Sequence, residues 1–491
     1  MAQRFSRFSF ALPLIGCLLL AFATTVVAKP RKKSKKQKAA AERVKREAAM
    51  QWAALSRLVP TTTNVTDGGT GVSSGIDMSA MTTPQSSTNA QFIGDPEART
   101  SGVAPAAGSL IISEFRLRGP SGANDEFVEI YNDSGADHTV SSISGTGYGL
   151  AASDGVTRCT IPNGTVIPAR GHYLCVNTLA FSLGSYPAGA GSIGTGDATY
   201  TTDIPDNAGI ALFNNNSAGA FYQLANRFDA VGSTSEANTL YKEGTGYPAL
   251  TPFSIDYSFY RDQCGKGGSI TTLGPCTIST PKDTDNNAAD FIFVDTNGTS
   301  AGAGQRLGAP GPEGLASPIL RNSTVSNSLL DATVPSPNPP NQVRDFTSDP
   351  ANNSTFGTLN LRRRFVNNTG ASITRLRFRI VDLTTFPAPS GFADLRPRTS
   401  TLVVVAGIND AATCLASNGV ATTPCTVNVQ GTTLEQPPSQ PNGGGFNTSL
   451  SAGTITLGTP LANGASINLQ FLLGIQQTGS FKVFVNVEAL P

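Results

Sequence analysis

Histidine, tryptophan and methionine are scarce in this chain of 491 residues, which has two His, one Trp and four Met. Charged residues make up only 14% of it, whereas 51 Gly and 32 Pro supply many turn positions. This composition argues against long charged helices and favours short strands joined by turns. With only His138 and His172 available, a Ser-His-Asp hydrolase also has little support, because that chemistry needs a histidine base.

The N-terminus has the parts of an export signal. Arg4 and Arg7 precede an apolar stretch at residues 8–27, and residues 26–28 (Val-Val-Ala) form a small-residue cleavage site. Residues 1–28 are therefore predicted to be a signal peptide, and the chain to be secreted or held at the cell surface. Two alternatives remain: an uncleaved membrane anchor, or a lipoprotein modified at Cys17, although the apolar residues after Cys17 depart from the lipobox pattern.

Six cysteines lie outside the leader and form three close pairs in sequence. An even number in close pairs within an exported chain predicts disulfides, whereas structural zinc would need C-x-x-C spacing or nearby histidines. The predicted bridges are Cys159–Cys175, Cys264–Cys276 and Cys414–Cys425.

The segment after the leader is strongly basic. Residues 29–46 carry ten Lys/Arg against one Glu, which leaves the chain beyond residue 46 with a net charge of about −10. Apolar residues recur at helical spacing up to Leu58, so residues 29–58 are predicted to be a basic helix. It either binds a polyanion or anionic lipid surface, or is a solvated leader helix. The lysines of the polyanion hypothesis are Lys32, Lys33, Lys35, Lys36 and Lys38.

Residues 59–104 are dominated by Thr, Ser, Gly, Asn and Pro and have few apolar residues. Such a segment buries too little surface to offset its chain entropy. A disordered linker is therefore predicted here.

Two runs with β-strand character follow, at residues 110–119 and 124–132, and in the second Phe127 and Tyr131 alternate with Val128 and Ile130 around Glu129. Residues 147–150 and 161–177 continue the pattern, and residues 203–213 and 223–232 supply further strands. This order resembles the lamin tail domain, an immunoglobulin-like β-sandwich that also occurs in bacterial exported proteins. The resemblance implies a module for adhesion or scaffolding without a defined active site.

Beyond that order, the chain continues through residues 257–261, the loop between Cys264 and Cys276, and residues 283–291 and 308–314. These pieces resemble the extension of the bacterial exported members. Residues 105–315 are therefore predicted to form a lamin tail-like sandwich with an extension.

The remainder is predicted to be a Pro-rich linker at residues 316–345 and a second antiparallel β-sandwich at residues 346–491. Leu376, Phe378 and Ile380 alternate with arginines, which predicts a sheet with one solvent-exposed face. Residues 367–370 (Asn-Asn-Thr-Gly) are predicted to be a hairpin turn. No family resemblance is evident for this domain.

Its arginines suggest a cationic stripe on adjacent strands. That stripe would be either an anion or glycan platform, or a set of long side chains covering the solvent-exposed face of a sheet. The arginines concerned are Arg362, Arg363, Arg364, Arg375, Arg377 and Arg379.

Two clusters of acidic residues are candidate sites. Asp125, Glu126 and Glu129 cluster near a strand start, but the lamin tail resemblance makes Glu129 a scaffold residue, and His172 is expected to be a half-buried strand histidine. In a second cluster, which begins at residue 283, oxygen-bearing side chains occupy alternate positions, as they do at the start of a calcium loop. The turn Gly and the bidentate Glu of an EF-hand are missing. Turn scaffolding is the competing explanation. The possible calcium ligands are Asp283, Asp285, Asn287 and Asp290.

The sequence thus predicts a mostly β, non-enzymatic protein acting in adhesion, envelope or matrix organisation, with no cofactor except possible calcium. Its expected partners are an extracellular protein, a glycan or a surface polyanion, with possible envelope association through the N-terminal segment and no specific nucleic-acid motif. The alternatives are a polyanion- or glycan-binding module, or an accessory part of an extracellular nuclease or phosphatase system.

Overall fold

The computed structural model describes residues 91–93, 110–186, 196–219, 222–251, 254–264, 280–299, 306–319, 325–436 and 438–491. All of them belong to one compact unit that runs from Gly71 to Pro491. The predicted signal peptide, the basic helix with its five lysines, and most of the predicted linker at residues 59–104 lie outside the described residues.

The described chain is mostly β, as the sequence predicts. Two short helices, α1 (Asn287–Asp290) and α2 (Ala411–Asn418), accompany the strands. The strands are β1 (Gln91–Ile93), β2 (Leu110–Arg116), β3 (Phe127–Asn132), β4 (His138–Thr139), β5 (Gly147–Ala152), β6 (Thr157–Pro162), β7 (Val166–Ile167), β8 (His172–Asn177), β9 (Ala198–Tyr200), β10 (Ile210–Phe213), β11 (Arg227–Val231), β12 (Tyr257–Arg261), β13 (Phe291–Asp295), β14 (Val325–Leu329), β15 (Gln342–Asp345), β16 (Thr358–Asn367), β17 (Arg375–Leu383), β18 (Asp394–Arg398), β19 (Val403–Ile408), β20 (Cys425–Leu434), β21 (Ser449–Ala452), β22 (Ser466–Gln477) and β23 (Val483–Leu490).

The first core lies between two sheets, which we call the first sandwich. Six strands run in the order β13-β12-β2-β3-β8-β9, and four in the order β11-β10-β5-β6. Inward-facing residues such as Ile112, Val128, Leu150 and Leu212 are buried together between them. Their alternation with outward-facing residues is the period-two pattern of a strand with two distinct faces.

The second core belongs to a longer sheet path, β1-β23-β17-β21-β20-β22-β16-β14. The long strand β20 pairs with β21 near its C-terminal end and with β22 at Gln430 and Gly431. It thereby connects two layers whose inner residues, among them Phe365, Phe378 and Phe471, pack against one another. We call this the second sandwich. A small satellite core beside it joins α2 to β19 and β20.

The residues predicted to be a Pro-rich linker differ from that expectation. Strands β14 and β15 lie within residues 316–345, and both pair antiparallel with β16. Between them, the buried Asn341 side chain donates to the Asp331 and Val334 carbonyls at 2.8 and 3.0 Å. Proline restricts the loop locally, but it does not prevent the flanking segments from joining a sheet edge.

Three predictions about the second sandwich are wrong. The turn at residues 367–370 does not close a hairpin, because β16 pairs with β14, β15 and β22, whereas β17 pairs with β21 and β23. The arginines of β16 and β17 are therefore not on adjacent strands. Nor is the arginine face of β17 exposed to solvent, since all nine residues of that strand are buried.

Part of the predicted linker at residues 59–104 also has regular structure. Strand β1 pairs in parallel with β23, with Gln91 opposite Phe484 and Ile93 opposite Asn486. The N-terminal side of the unit is thus attached to the second sandwich by backbone hydrogen bonds.

Candidate functional site

A cavity lies where the outer face of the six-stranded sheet meets the outer face of β17 and β23. The first sandwich contributes Glu114, Glu129 and His172, and the second contributes Arg379 and Glu488. Residues 307–319 pass between the two faces, and backbone bridges join Gly308 to Phe446 and Ile319 to Ala489. Charged outer faces that would ordinarily contact water therefore face each other here.

The centre of this site is His172 between two carboxylates. Its Nδ1 is 3.0 Å from Glu129 Oε1, and its Nε2 is 3.3 Å from Glu313 Oε2. The Glu313 backbone N–H donates to Glu129 Oε2 at 2.7 Å, and the Ser113 hydroxyl donates to Oε1 at 2.5 Å. The imidazole thus connects the first sandwich to the segment that leads to the second.

Two arginines of β17 complete the network from the opposite side. Arg379 lies 2.7 Å from Glu313 Oε2, and Arg377 contacts both Glu313 and Glu488, the latter at 2.5 Å. Although burial opposes its ionisation, the two guanidinium groups hold the pKa of Glu488 below its ordinary value. Arg377 and Arg379 are therefore ion-paired interface residues and not an exposed anion platform.

Glu114 is the carboxylate of the site without an ion-pair partner among the described residues. It accepts from the Gly311 N–H at 2.9 Å and from Asn447 Nδ2 at 3.0 Å. Burial, reinforced by the charge of Glu129, raises the pKa of Glu114 to about 7. The Asn447 contact also joins the two sandwiches directly.

Tyr260 Oη and Asn486 Oδ1 are buried at the cavity wall and have no hydrogen-bond partner among the described residues. These residues are only 3% and 2% exposed. Buried polar groups almost always have a hydrogen-bond partner. Two such atoms without one at the same cavity therefore indicate space for a polar occupant.

A second acidic cluster lies around Arg261. Asp229, Glu243 and Asp283 bring ligand-type oxygen atoms within 4.8 Å of one another. Arg261 is 2.7 Å from Asp229 and 3.1 Å from Asp283, and its guanidinium lies over the Phe291 ring. Arginines thus pair with all three carboxylates, because Glu243 lies 2.9 Å from Arg227.

The possible calcium ligands are only partly brought together. Asp290 is buried and accepts from the Thr284 N–H and hydroxyl at 2.9 and 2.7 Å, while Asn287 Oδ1 accepts from the Gly232 and Glu243 N–H groups. Asp283 pairs with Arg261, and Asp285 has a left-handed backbone (φ 55°). These contacts are what turn scaffolding requires; calcium binding stays a prediction.

The carboxylates that cluster near the start of β3 separate in space. Asp125 pairs with the buried Arg116 and accepts from the Ser182 N–H at 2.9 Å. Glu126 accepts from Asn177 Nδ2 and from the Ile204 N–H, each at 2.8 Å, whereas Glu129 reaches the cavity.

His138 lies 3.1 Å from the Tyr148 hydroxyl, on another part of the first sandwich.

Two predicted disulfides are present. Cys159 on β6 bonds to Cys175 on β8 and so joins the two sheets of the first sandwich, and Cys414 on α2 bonds to Cys425 on β20. Cys264 is also disulfide-bonded, but its predicted partner, Cys276, lies outside the described residues. The pairing of Cys264 with Cys276 therefore stays a prediction.

The sequence did not indicate the cavity as a site. Glu129 lies 43 positions from His172 and 184 from Glu313, so no local motif unites them. The one available signal was the regular alternation of arginines on β17, because a fully charged face must find either water or opposite charges.

Comparisons of the chain with protein-family models, with curated proteins and with solved structures find no match. Within the described ranges, no helix combines the length and the hydropathy needed to span a membrane.

Proposed function

We propose that this chain is a non-enzymatic exported protein that acts at the cell surface or in the surrounding matrix, in adhesion or envelope organisation, with a lamin tail-like first sandwich. The observation that carries the proposal is the joining of two sandwiches, the first of them closed by a disulfide, through one buried ionic interface. A continuous unit of this kind suits a protein that transmits force between two attachments, because its parts resist separation.

The disulfides support the exported location. Such bonds form and persist in oxidising compartments and are rare where thiols are kept reduced. Cys159–Cys175 ties the two sheets of one sandwich together and stabilises the fold by restricting the unfolded chain.

The location is tested in the producing cells. Intact cells are treated with proteinase K, and separate samples are acid-quenched and alkylated with a mass-shifting maleimide before immunoblotting. We expect the chain to be degraded in intact cells and its paired cysteines to resist alkylation until reductant is added. A chain that survives until lysis and has free thiols contradicts the proposal.

Adhesion is tested with beads that carry the full chain. Beads coated with the native chain should be retained on the producing cells, and beads coated with the chain after reduction and alkylation should not, because only the folded surface presents the contacts. Equal retention of the two bead types, or retention equal to that of albumin-coated beads, contradicts an adhesive role.

A further inference from the structure

The cavity between the sandwiches contains a ligand set for a metal ion. One atom each of Glu129, His172 and Glu313 lies within 4.8 Å of the others, and the three side chains are between 3% and 12% exposed. An imidazole nitrogen with carboxylate oxygens is a donor set typical of Zn²⁺ and related first-row divalent ions.

The charges around the cavity do not balance when all of its carboxylates are ionised. Glu114, Glu129, Glu313 and Glu488 supply four carboxylates, whereas Arg377 and Arg379 supply two guanidinium groups. His172 adds at most one positive charge. Uncompensated charge in a buried site is costly, so this surplus requires either bound protons or a cation.

The remaining arginines at the cavity wall do not correct the imbalance. Arg170 pairs with Asp133 at 2.8 Å, and Arg261 pairs with Asp229 and with Asp283. Each has an aspartate partner outside the cavity.

An independent observation also indicates an occupant. The hydroxyl of Tyr260 and the Oδ1 atom of Asn486 line the same cavity, and no residue in the described part of the chain forms a hydrogen bond with either atom. Both could accept from water molecules that complete the shell of an ion, since metal sites in proteins commonly retain water ligands.

We propose that this cavity binds one divalent first-row metal ion, of which Zn²⁺ is the representative, through Glu129, His172 and Glu313. Coordination replaces one of the two hydrogen bonds that His172 makes with the carboxylates. Because Glu129 and His172 belong to the first sandwich and Glu313 to the segment leading to the second, the ion strengthens the connection between them.

The binding is tested by titrating the chelator-stripped full chain with ZnCl₂ in a calorimeter, beside His172→Gln and Glu129→Gln. Glu126→Gln is the matched control, because Glu126 is a buried glutamate of the same region that binds Asn177 instead of lining the cavity. We expect one equivalent of zinc to bind to the wild type and the control, and at least about tenfold weaker binding in the two cavity variants. CaCl₂, whose cation prefers oxygen ligands, should bind far more weakly.

A wild-type chain that binds no zinc, cavity variants that bind it as tightly as the control, or equal affinity for calcium and zinc would each overturn the proposal. X-ray absorption of the zinc-loaded wild type gives an answer even if a variant fails to fold. An oxygen and nitrogen first shell with one imidazole is expected, whereas sulfur ligands or the absence of imidazole would reject the site.

Discussion

The ionisation of Glu126 makes the stability of the first sandwich depend on pH. The residue is fully buried, and burial raises its pKa to about 8, even though Asn177 and the Ile204 N–H donate to it. The unfolded chain releases this proton near pH 4.5, the ordinary value. Between these two pH values the folded state therefore retains a proton that the unfolded state has lost, and stability falls as pH rises.

We predict that Glu126→Gln removes this part of the pH dependence. The wild type should lose up to about 1.4 kcal/mol of unfolding free energy per pH unit across the window, relative to the variant. Urea denaturation at several pH values between about pH 5 and about pH 8 measures the difference. If the unfolding free energies of the wild type and the variant change with pH in parallel, Glu126 ionises as an exposed carboxylate does.

The oxygen side chains at residues 283–290 give a second expectation at this scale. Asp290 accepts three hydrogen bonds from its own loop, and Asp283 pairs with Arg261. Both carboxylates thus have protein partners that do not depend on a bound ion. Thermal melting in calcium and in a calcium chelator should give the same midpoint, with Asp283→Asn as the reference variant. A midpoint raised by calcium in the wild type and not in this variant would locate a calcium site at the loop.

Among the elements, β6 and β8 are joined by Cys159–Cys175 across the first core. Replacing both cysteines by serine should lower the unfolding free energy by about 3 kcal/mol, the loop-closure effect for a separation of 16 residues. Guanidinium denaturation of the wild type and the variant measures this loss of unfolding free energy. The same replacement of Cys414 and Cys425 is the comparison, because that bond joins only α2 and β20 beside the satellite core. Unchanged stability of the first variant would contradict the cross-sheet role.

Binding of a polyanion by the basic segment at residues 29–46 stays a prediction from the sequence. The segment's charge of +9 precedes an acidic remainder, so the attraction should be electrostatic and should weaken with salt. Deleting the segment should abolish retention on heparin, and changing Lys32, Lys33, Lys35, Lys36 and Lys38 to Glu should have the same effect. Retention that survives both changes, or that ignores salt, would exclude this segment as the site.

At the scale of the whole molecule, the buried ionic interface should make the two sandwiches unfold together. Arg377→Met removes one of the two buried arginines that pair with Glu313 and Glu488, which costs about 3–5 kcal/mol. We expect one calorimetric transition in the wild type and two in this variant. Arg398→Met is the control, because Arg398 is partly exposed and lies 4.0 Å from its carboxylate partner Asp349. Two transitions already present in the wild type would mean that the interface does not couple the cores.

The sequence predicted the strands well and their surroundings poorly. Alternation at Leu376, Phe378 and Ile380 correctly indicated a strand with one apolar face, because the side-chain period of a strand is a local property. What covers the opposite face depends on residues between 60 and 111 positions away, such as Glu435, Asn447 and Glu488. Separation in the sequence likewise hid Glu129, His172 and Glu313 as a group. The lamin tail resemblance stays a prediction.

The sequence did not show that β14 and β15 belong to a sheet, and the reason is again separation along the chain. Strands β14 and β15 are short and largely polar, and the prolines between them resemble those of a linker. Only the edge of β16, formed elsewhere in the chain, gives these segments a pairing partner.

The charged faces that meet at the cavity also constrain how this protein can evolve. Either sandwich, if transferred alone into another protein by recombination, would carry a face of carboxylates or of arginines matched to the surface left behind. A substitution at Glu313 or Glu488 likewise requires a compensating change at Arg377 or Arg379. The two halves should therefore be inherited as a pair, and their facing positions should change together across related chains.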